Sequence, residues 1–323
     1  MYAAVLHTIG TAPRYEEFPE PVVRDSEVIV HVHAASLKPV DKQLASGSHY
    51  ASHRELPCVC GSDGVGHLGD GRRVFFGGPR PPHGAMAQRT VVPLALTFPV
   101  PENLSDETAA ALPNPGISAW LSLSYRARLV KGENVLILGA TGVTGKLAVQ
   151  AAKLLGAARV VAAGRNQKAL STLHNLGADA TISLALPDTE LSDAFLREAG
   201  PSGFQVVIDY VWGRPAEAFL TAIARKEFAA IKSETRFVQV GESAAPTITL
   251  PAAVLRSTAL TILGTAGIPP RDVLLETFQQ VMAHAAKGEL QIETERVPLA
   301  DIEKAWQRVQ PGCRLVIIPE QRA

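Results

Sequence analysis

The sequence predicts an α/β protein of two domains. One is built on a doubly wound parallel sheet, and the other is an irregular, partly open β-barrel. Three observations carry this expectation. Between residues 134 and 164 a buried strand, a glycine turn, a helix and a second strand follow one another. From about residue 116 strands alternate with helices, whereas residues 1 to about 115 hold short strands and turns. The chain has 323 residues, enough for a large core and two domains.

In the first segment, Tyr2 to Leu6, Val28 to His33 and Val91 to Val100 are rich in β-formers, and Gly61 to Gly78 is dense in glycine. The second segment opens with Val135 to Leu138, a short apolar run fit for a strand covered on both faces. Leu147, Ala148, Ala151, Ala152 and Leu155 follow at helical spacing, and Arg159 to Ala163 forms the next strand. Strands at Thr181 to Leu184, Phe204 to Tyr210, Phe237 to Val240 and Leu260 to Leu263 bring the count to six. Helices are expected at Leu191 to Ala199, Pro215 to Ala224 and residues 271 to 288, and residues 291 to 318 return to strand, short helix and strand. The expected boundaries are 1–115, 116–256 for the parallel-sheet domain, and 257–323 for its last strand and the return to the first domain.

The glycine turn carries the chemistry. The first N–H groups of a helix lack intrahelical partners, and its dipole favours an anion there. Gly139, Ala140 and Gly142 let a pyrophosphate approach the backbone around Thr141, Val143 and Thr144, and Gly145 lets the helix pack close to the strand. The run reads A-x-G-x-x-G, with Ala140 in place of the first glycine of the Rossmann dinucleotide fingerprint. A P-loop would need a glycine at Ala140 and a Ser or Thr at Leu147, and has neither. Past Gly164 there is no acid to hold a ribose 2′-OH. Arg165 and Lys168 are placed to meet a 2′-phosphate, which points to NADPH rather than NADH.

Composition excludes other classes. Lys+Arg and Asp+Glu are both 31, so no basic footprint predicts nucleic acid or anionic lipid as a partner. No apolar run reaches membrane-spanning length, and the N-terminal residues lack a signal peptide's pattern. Three cysteines without a framework fit a reducing compartment, so the expectation is a cytoplasmic protein. The sequence has no G-x-S-x-G elbow and no Tyr-x-x-x-Lys pair.

Beyond single motifs, an ordered set covers nearly the whole chain: AASLKPVDKQLASG (34–47), PCVCGSDGVG (57–66), HGAMAQRTVVP (83–93), ENVLILGATGVTGKLAVQAAKLLGA (133–157), FVQVGE (237–242), Gly264 and VPLADIEKAWQRV (297–309). In this the chain resembles the medium-chain dehydrogenase/reductase superfamily, specifically its zinc-free quinone oxidoreductase branch. The resemblance implies a GroES-like substrate domain split around a Rossmann domain, with Gly241 and Gly264 lining the cofactor channel. It also implies hydride transfer from NADPH to a quinone or α,β-unsaturated carbonyl. A homodimer through an edge strand is a further family property, and Ala259 to Thr265 is apolar enough for it.

Zinc-dependent members carry a cysteine where this chain has Lys38 and Gly-His-Glu where it has Gly61-Ser62-Asp63, so no catalytic metal is expected. His31 and His33 share a strand face, a pattern more often found on plain surfaces than in metal sites. Zinc-free relatives have Asn-Pro-x-Asp where this chain has Lys38-Pro39-Val40-Asp41. The Lys38 ammonium is expected either to polarise the substrate carbonyl or to be held by Asp41, against the plainer reading of a lysine reaching solvent. Tyr50 is the candidate acid, or else an aromatic wall against the substrate. Two rival readings remain: an alcohol dehydrogenase-like carbonyl reductase, and a non-catalytic NADPH-binding sensor or crystallin-like or RNA-binding protein.

Overall fold

The computed structural model describes residues 1–48, 52, 55–224, 234–265, 267, 269–309 and 311–320. The chain divides into two compact units, Met1–Pro113 with Met282–Gly288 and Ile292–Ala323, and Asn114–Val281 with Glu289–Gln291.

The second unit is the α/β one. Its six strands are all parallel. In spatial order they are Ala180–Ser183, Arg159–Gly164, Asn134–Leu138, Val206–Asp209, Thr235–Gln239 and Leu260–Gly264. In chain order this reads third, second, first, fourth, fifth, sixth, the Rossmann arrangement. The inner strands Arg159–Gly164, Asn134–Leu138 and Val206–Asp209 are buried almost throughout, as strands covered on both faces are: Val135, Leu136, Ile137 and Leu138 are all 0% exposed. The order reverses between Asn134–Leu138 and Val206–Asp209, and a crevice at the C-terminal ends of such strands is where ligands bind. Leu260–Gly264 ends the sheet as an edge strand.

The unit extends to Val281 and so takes in the strand expected in the 257–323 segment. Its last strand hydrogen-bonds to Thr235–Gln239, which fixes it to this sheet. It also contains the helix Ala252–Ser257, which no clear periodicity announced.

The first unit is built on the ten-residue strand Glu27–Ser36. Asp63–Leu68 pairs with it on one edge, and Arg89–Pro93 and Arg314–Ile318 pair with it on the other. Arg73–Gly77, Thr97–Pro99 and Thr294–Pro298 extend the sheet to seven strands, and a second sheet joins Arg14–Glu17, Tyr2–Leu6 and Cys58–Val59. Val30, Val32, Phe76, Met86, Val92, Leu315 and Ile317 form its core. The glycine-dense stretch from 61 to 78 is a strand hairpin, Asp63–Leu68 with Arg73–Gly77. Two of its strand glycines are steric: a Cβ on Gly64 would come 2.7 Å from the Ala34 carbonyl oxygen, and one on Gly66 would overlap that of His31. Among the described residues no helix is long and apolar enough to cross a membrane.

Gly142 and Gly145 occupy one turn but have different steric surroundings. A Cβ on Gly145 would overlap the carbonyl oxygen of Gly139, whereas one on Gly142 meets only that oxygen, at 3.5 Å. Gly145→Val should therefore destabilise the protein by about 1–3 kcal/mol or more, while Gly142→Ala should fold normally; paired thermal melts check this.

Candidate functional site

The first part of the site is the nucleotide turn. Gly139 has φ +85°, and its N–H and that of Ala140 both donate to the Ala163 carbonyl at 2.9 Å. The left-handed residue is thus Gly139, so Ala140 is tolerated at the first fingerprint position, fully buried behind the turn. Gly142 caps the helix Val143–Leu154 with extended backbone and no side-chain cap, which leaves the first N–H groups, at Val143 and Thr144, for a ligand. Thr141 precedes the cap, and Gly164 makes room for it, since a Cβ there would lie 2.6 Å from the Thr141 methyl. Arg165 and Lys168 follow at the strand's C-terminal end, both exposed and without an ion pair to any described residue.

On the other side of the order reversal, Asp209 shapes the next turn. Its carboxylate accepts from the N–H groups of Val211 at 2.8 Å and Trp212 at 3.0 Å, and it holds Trp212 at φ +56°. The Asp209 carbonyl accepts from Gly241 N–H at 3.1 Å, where a Cβ would press on the Tyr210 backbone. Burial raises the Asp209 carboxyl to about 6, against those two hydrogen bonds. Gly264 ends its strand paired to Gln239 and is exposed.

The second part of the site lies in the barrel unit. Lys38 is 1% exposed and precedes the helix Pro39–Ser46. Its ammonium donates to Asp63 Oδ1 at 2.8 Å and to the Ser36 carbonyl at 3.1 Å, and lies 3.2 Å from Asp41 Oδ2. Asp41 also reaches back to accept from the Lys38 N–H at 2.8 Å, which closes the first turn of the helix. Burial alone would lower the Lys38 pKa, but Asp41 and Asp63 outweigh it and hold the group above its ordinary value. Burial raises the Asp63 carboxyl, with Lys38 opposing. Arg314 supplies a second buried cation and donates to the Leu37 carbonyl at 3.2 Å.

Beside this cluster is a cavity of about 450 Å³, walled by Leu44, Val59, Pro79, Pro81 and Pro82. Ser62 joins the two: it lines the cavity and donates its hydroxyl to Asp41 Oδ1 at 3.1 Å. Cys58 also lines the cavity, its thiol pushed up to about 11 by burial.

Comparison with known proteins matches residues 143–287 to a family model described as "Zinc-binding dehydrogenase". A probable NADPH-dependent quinone reductase from Emericella nidulans is 29% identical over 230 residues, 68% of this chain and 63% of that protein. The 2-methylene-furan-3-one reductase of Solanum lycopersicum is 33% identical over 193 residues, 54% of this chain and 49% of its own. The aligned stretch thus spans less than two thirds of either relative's length. Among solved structures, the quinone oxidoreductase of Thermus thermophilus, known also as its NADPH complex, superposes with a TM-score of 0.78. It is 29% identical, covering 98% of this chain and 100% of that one. These matches make the chain similar to medium-chain dehydrogenase/reductases of the quinone oxidoreductase-like branch.

The zinc in that family model's description does not fit the residues present. The protonated Lys38 offers no lone pair, and Asp63 is committed to it. Cys58 and Cys60 are buried, burial raises their thiol pKa values, and among the described residues they form no metal-holding group with other side chains.

Of the three catalytic candidates, Lys38 and Asp41 are brought together, and Tyr50 lies outside the described residues. The Lys38 ammonium reaches neither solvent nor the cavity, because it is sealed among Asp41, Asp63 and Ser36. Sequence reasoning named Asp41 as its holder and missed Asp63, the nearer partner. Asp63 lies 25 positions away, and only the pairing of its strand with Glu27–Ser36 brings it close. His31 and His33 do lie on a strand, where His67 Nδ1 comes 3.1 Å from His33 Nε2 and Asp106 holds the other ring nitrogen of His33. Among the described residues no group of three metal-ligating side chains forms.

Lys38→Met would strand two carboxylates in the interior, at a cost of about 3–5 kcal/mol. Lys38 opposes the burial that raises the Asp63 carboxyl, so in the variant that pKa rises further and the deficit should shrink as pH falls; urea midpoints at pH 8 and pH 5 measure it. Asp209→Asn keeps an acceptor for the turn but cannot titrate. The wild-type carboxyl titrates near 6 against an ordinary 3.8, so its penalty is fully present above about pH 6 and is relieved on acidification. Relative to this variant, the wild type should gain about 1–2 kcal/mol between pH 8 and pH 5, readable in the same titrations.

Proposed function

We propose that this protein is an NADPH-dependent, zinc-independent reductase of quinones or α,β-unsaturated carbonyls. The observation that carries the reading is the nucleotide turn: an uncapped helix start at Gly142, followed one strand later by two unpaired cations and no acid. The N–H groups around Thr141, Val143 and Thr144 would hold the pyrophosphate, and Arg165 and Lys168 the 2′-phosphate. When bound, NADPH supplies a hydride, and the reduced acceptor then takes a proton to become a hydroquinone or saturated carbonyl. The names of the fungal and plant relatives and of the Thermus structure support this acceptor class. The apolar cavity walls suit a flat ring.

The sealed position of Lys38 changes the mechanism that the sequence invited. Its ammonium positions Asp41 and the 62–63 segment instead of touching an acceptor. That same sealing favours the second reading, an NADPH-binding protein without turnover, because it removes one candidate catalytic cation from the cavity.

Steady-state NADPH and NADH oxidation with 1,4-benzoquinone, 9,10-phenanthrenequinone and a simple enone, with and without chelator, tests the proposal. Turnover should be chelator-insensitive and should favour NADPH. Replacing both Arg165 and Lys168 by Ala should raise KM for NADPH roughly 10- to 100-fold and leave NADH nearly unchanged. A preference for NADH in the wild type would overturn the cofactor reading, and tight NADPH binding without turnover would favour the second reading.

A further inference from the structure

Ser62 links the cavity to the buried charges, and its hydrogen-bond direction is set by Asp41. That carboxylate receives the Lys38 N–H at 2.8 Å and the Ser62 hydroxyl at 3.1 Å, and the Lys38 ammonium lies 3.2 Å away. A carboxylate in that position accepts from each of them. The single hydroxyl hydrogen of Ser62 is therefore committed, and only oxygen lone pairs are left for a ligand. Two other polar side chains on the wall donate nothing to the cavity. Glu55 carries a carboxylate, and His83 faces the Pro19 carbonyl with Nε2 at 3.3 Å, which makes that nitrogen the donor and commits it. Burial lowers the His83 pKa, which favours the neutral ring. Ser52 and the weakly donating Cys58 thiol complete the polar lining. Against apolar walls of Leu44, Val59, Pro79, Pro81 and Pro82, the Ser62 end of the cavity therefore offers a hydrogen-bond acceptor and no donor.

We infer that Ser62 is a specificity-determining residue that accepts a hydrogen bond from a hydroxyl carried on a flat apolar ring. The cavity would thus favour hydroxylated acceptors and hydroquinone products over unsubstituted quinones. A bare quinone has only acceptor oxygens and finds no partner at Ser62. A ring hydroxyl supplies the missing donor, and Asp41 strengthens the bond by polarising the Ser62 hydroxyl. This inference deepens the function proposed above and rests on it for the identity of the ligand, but not for the chemistry of the cavity.

The experiment uses the full-length protein without added cofactor, so that hydride transfer plays no part. Isothermal titration compares 2-naphthol, which stays protonated at neutral pH, with 2-methoxynaphthalene, the same ring with its donor removed. The wild type should bind the naphthol more tightly. Ser62→Ala should weaken that binding about three- to tenfold and leave the ether unchanged, and Ser62→Thr should restore the preference. Ser62→Ala keeps the Lys38 contacts to Asp63 and Asp41, and a thermal melt confirms that it folds. Equal binding of the two probes by the wild type, or a Ser62→Ala variant that loses affinity for both alike, would overturn the inference. Failure of the reductase reading shows elsewhere, as absence of NADPH oxidation with every quinone tried, and leaves the titration result standing.

Discussion

The barrel unit depends on one buried cation. Lys38 ties the end of the strand Glu27–Ser36 and the first turn of the helix Pro39–Ser46, which flank it, to the 62–63 segment, which is remote in sequence. Taking an ammonium out of water costs several kcal/mol, and the structure offsets this with two carboxylates and a backbone carbonyl. With Arg314 the cluster holds two cations and two anions, so the interior carries little net charge. In family terms a lysine stands where zinc-dependent members have a ligand, and the lysine brings its own positive charge to the carboxylates. The same carboxylates then orient Ser62 at the cavity wall.

The nucleotide-binding unit depends on a different constraint, close backbone approach. Its turn works because Gly139 takes the left-handed conformation and Gly145 lets the helix settle on the Gly139 carbonyl. Neither requirement falls on Ala140, which explains why the fingerprint departs from glycine there without loss of the turn. Asp209 performs a similar office at the neighbouring strand, where backbone N–H groups and a strained Trp212 are gathered around one carboxylate.

These differences decide what was legible in the sequence. The parallel sheet announced itself because covered strands are continuous apolar runs and the turn residues are local: Val135 to Leu138 and Gly139 to Gly145 lie within one stretch. The barrel strands were harder. Asp63–Leu68 carries Gly64 and Gly66 for reasons of close packing, which makes a strand look like a loop. The short helices Pro39–Ser46 and Asp106–Ala111 are too brief to show a period. At the site, Lys38 and Asp41 stood out because they are three residues apart, whereas Asp63 and Arg314 join them only through strand pairing. No local pattern carries such pairing.

The discontinuity of the barrel unit bears on how the chain is made. Glu27–Ser36 finds one of its partners in Arg314–Ile318, which itself pairs with Thr294–Pro298. Asn114–Val281, by contrast, holds every strand of the parallel sheet. On the ribosome the nucleotide-binding unit can complete its sheet while the barrel still exposes an unpaired edge beside Ser36. Arg314, the cluster's second buried cation, arrives with the same late strand. The barrel is thus begun before the parallel sheet and closed after it, and its neutral interior is complete only when the strand Arg314–Ile318 has been synthesised.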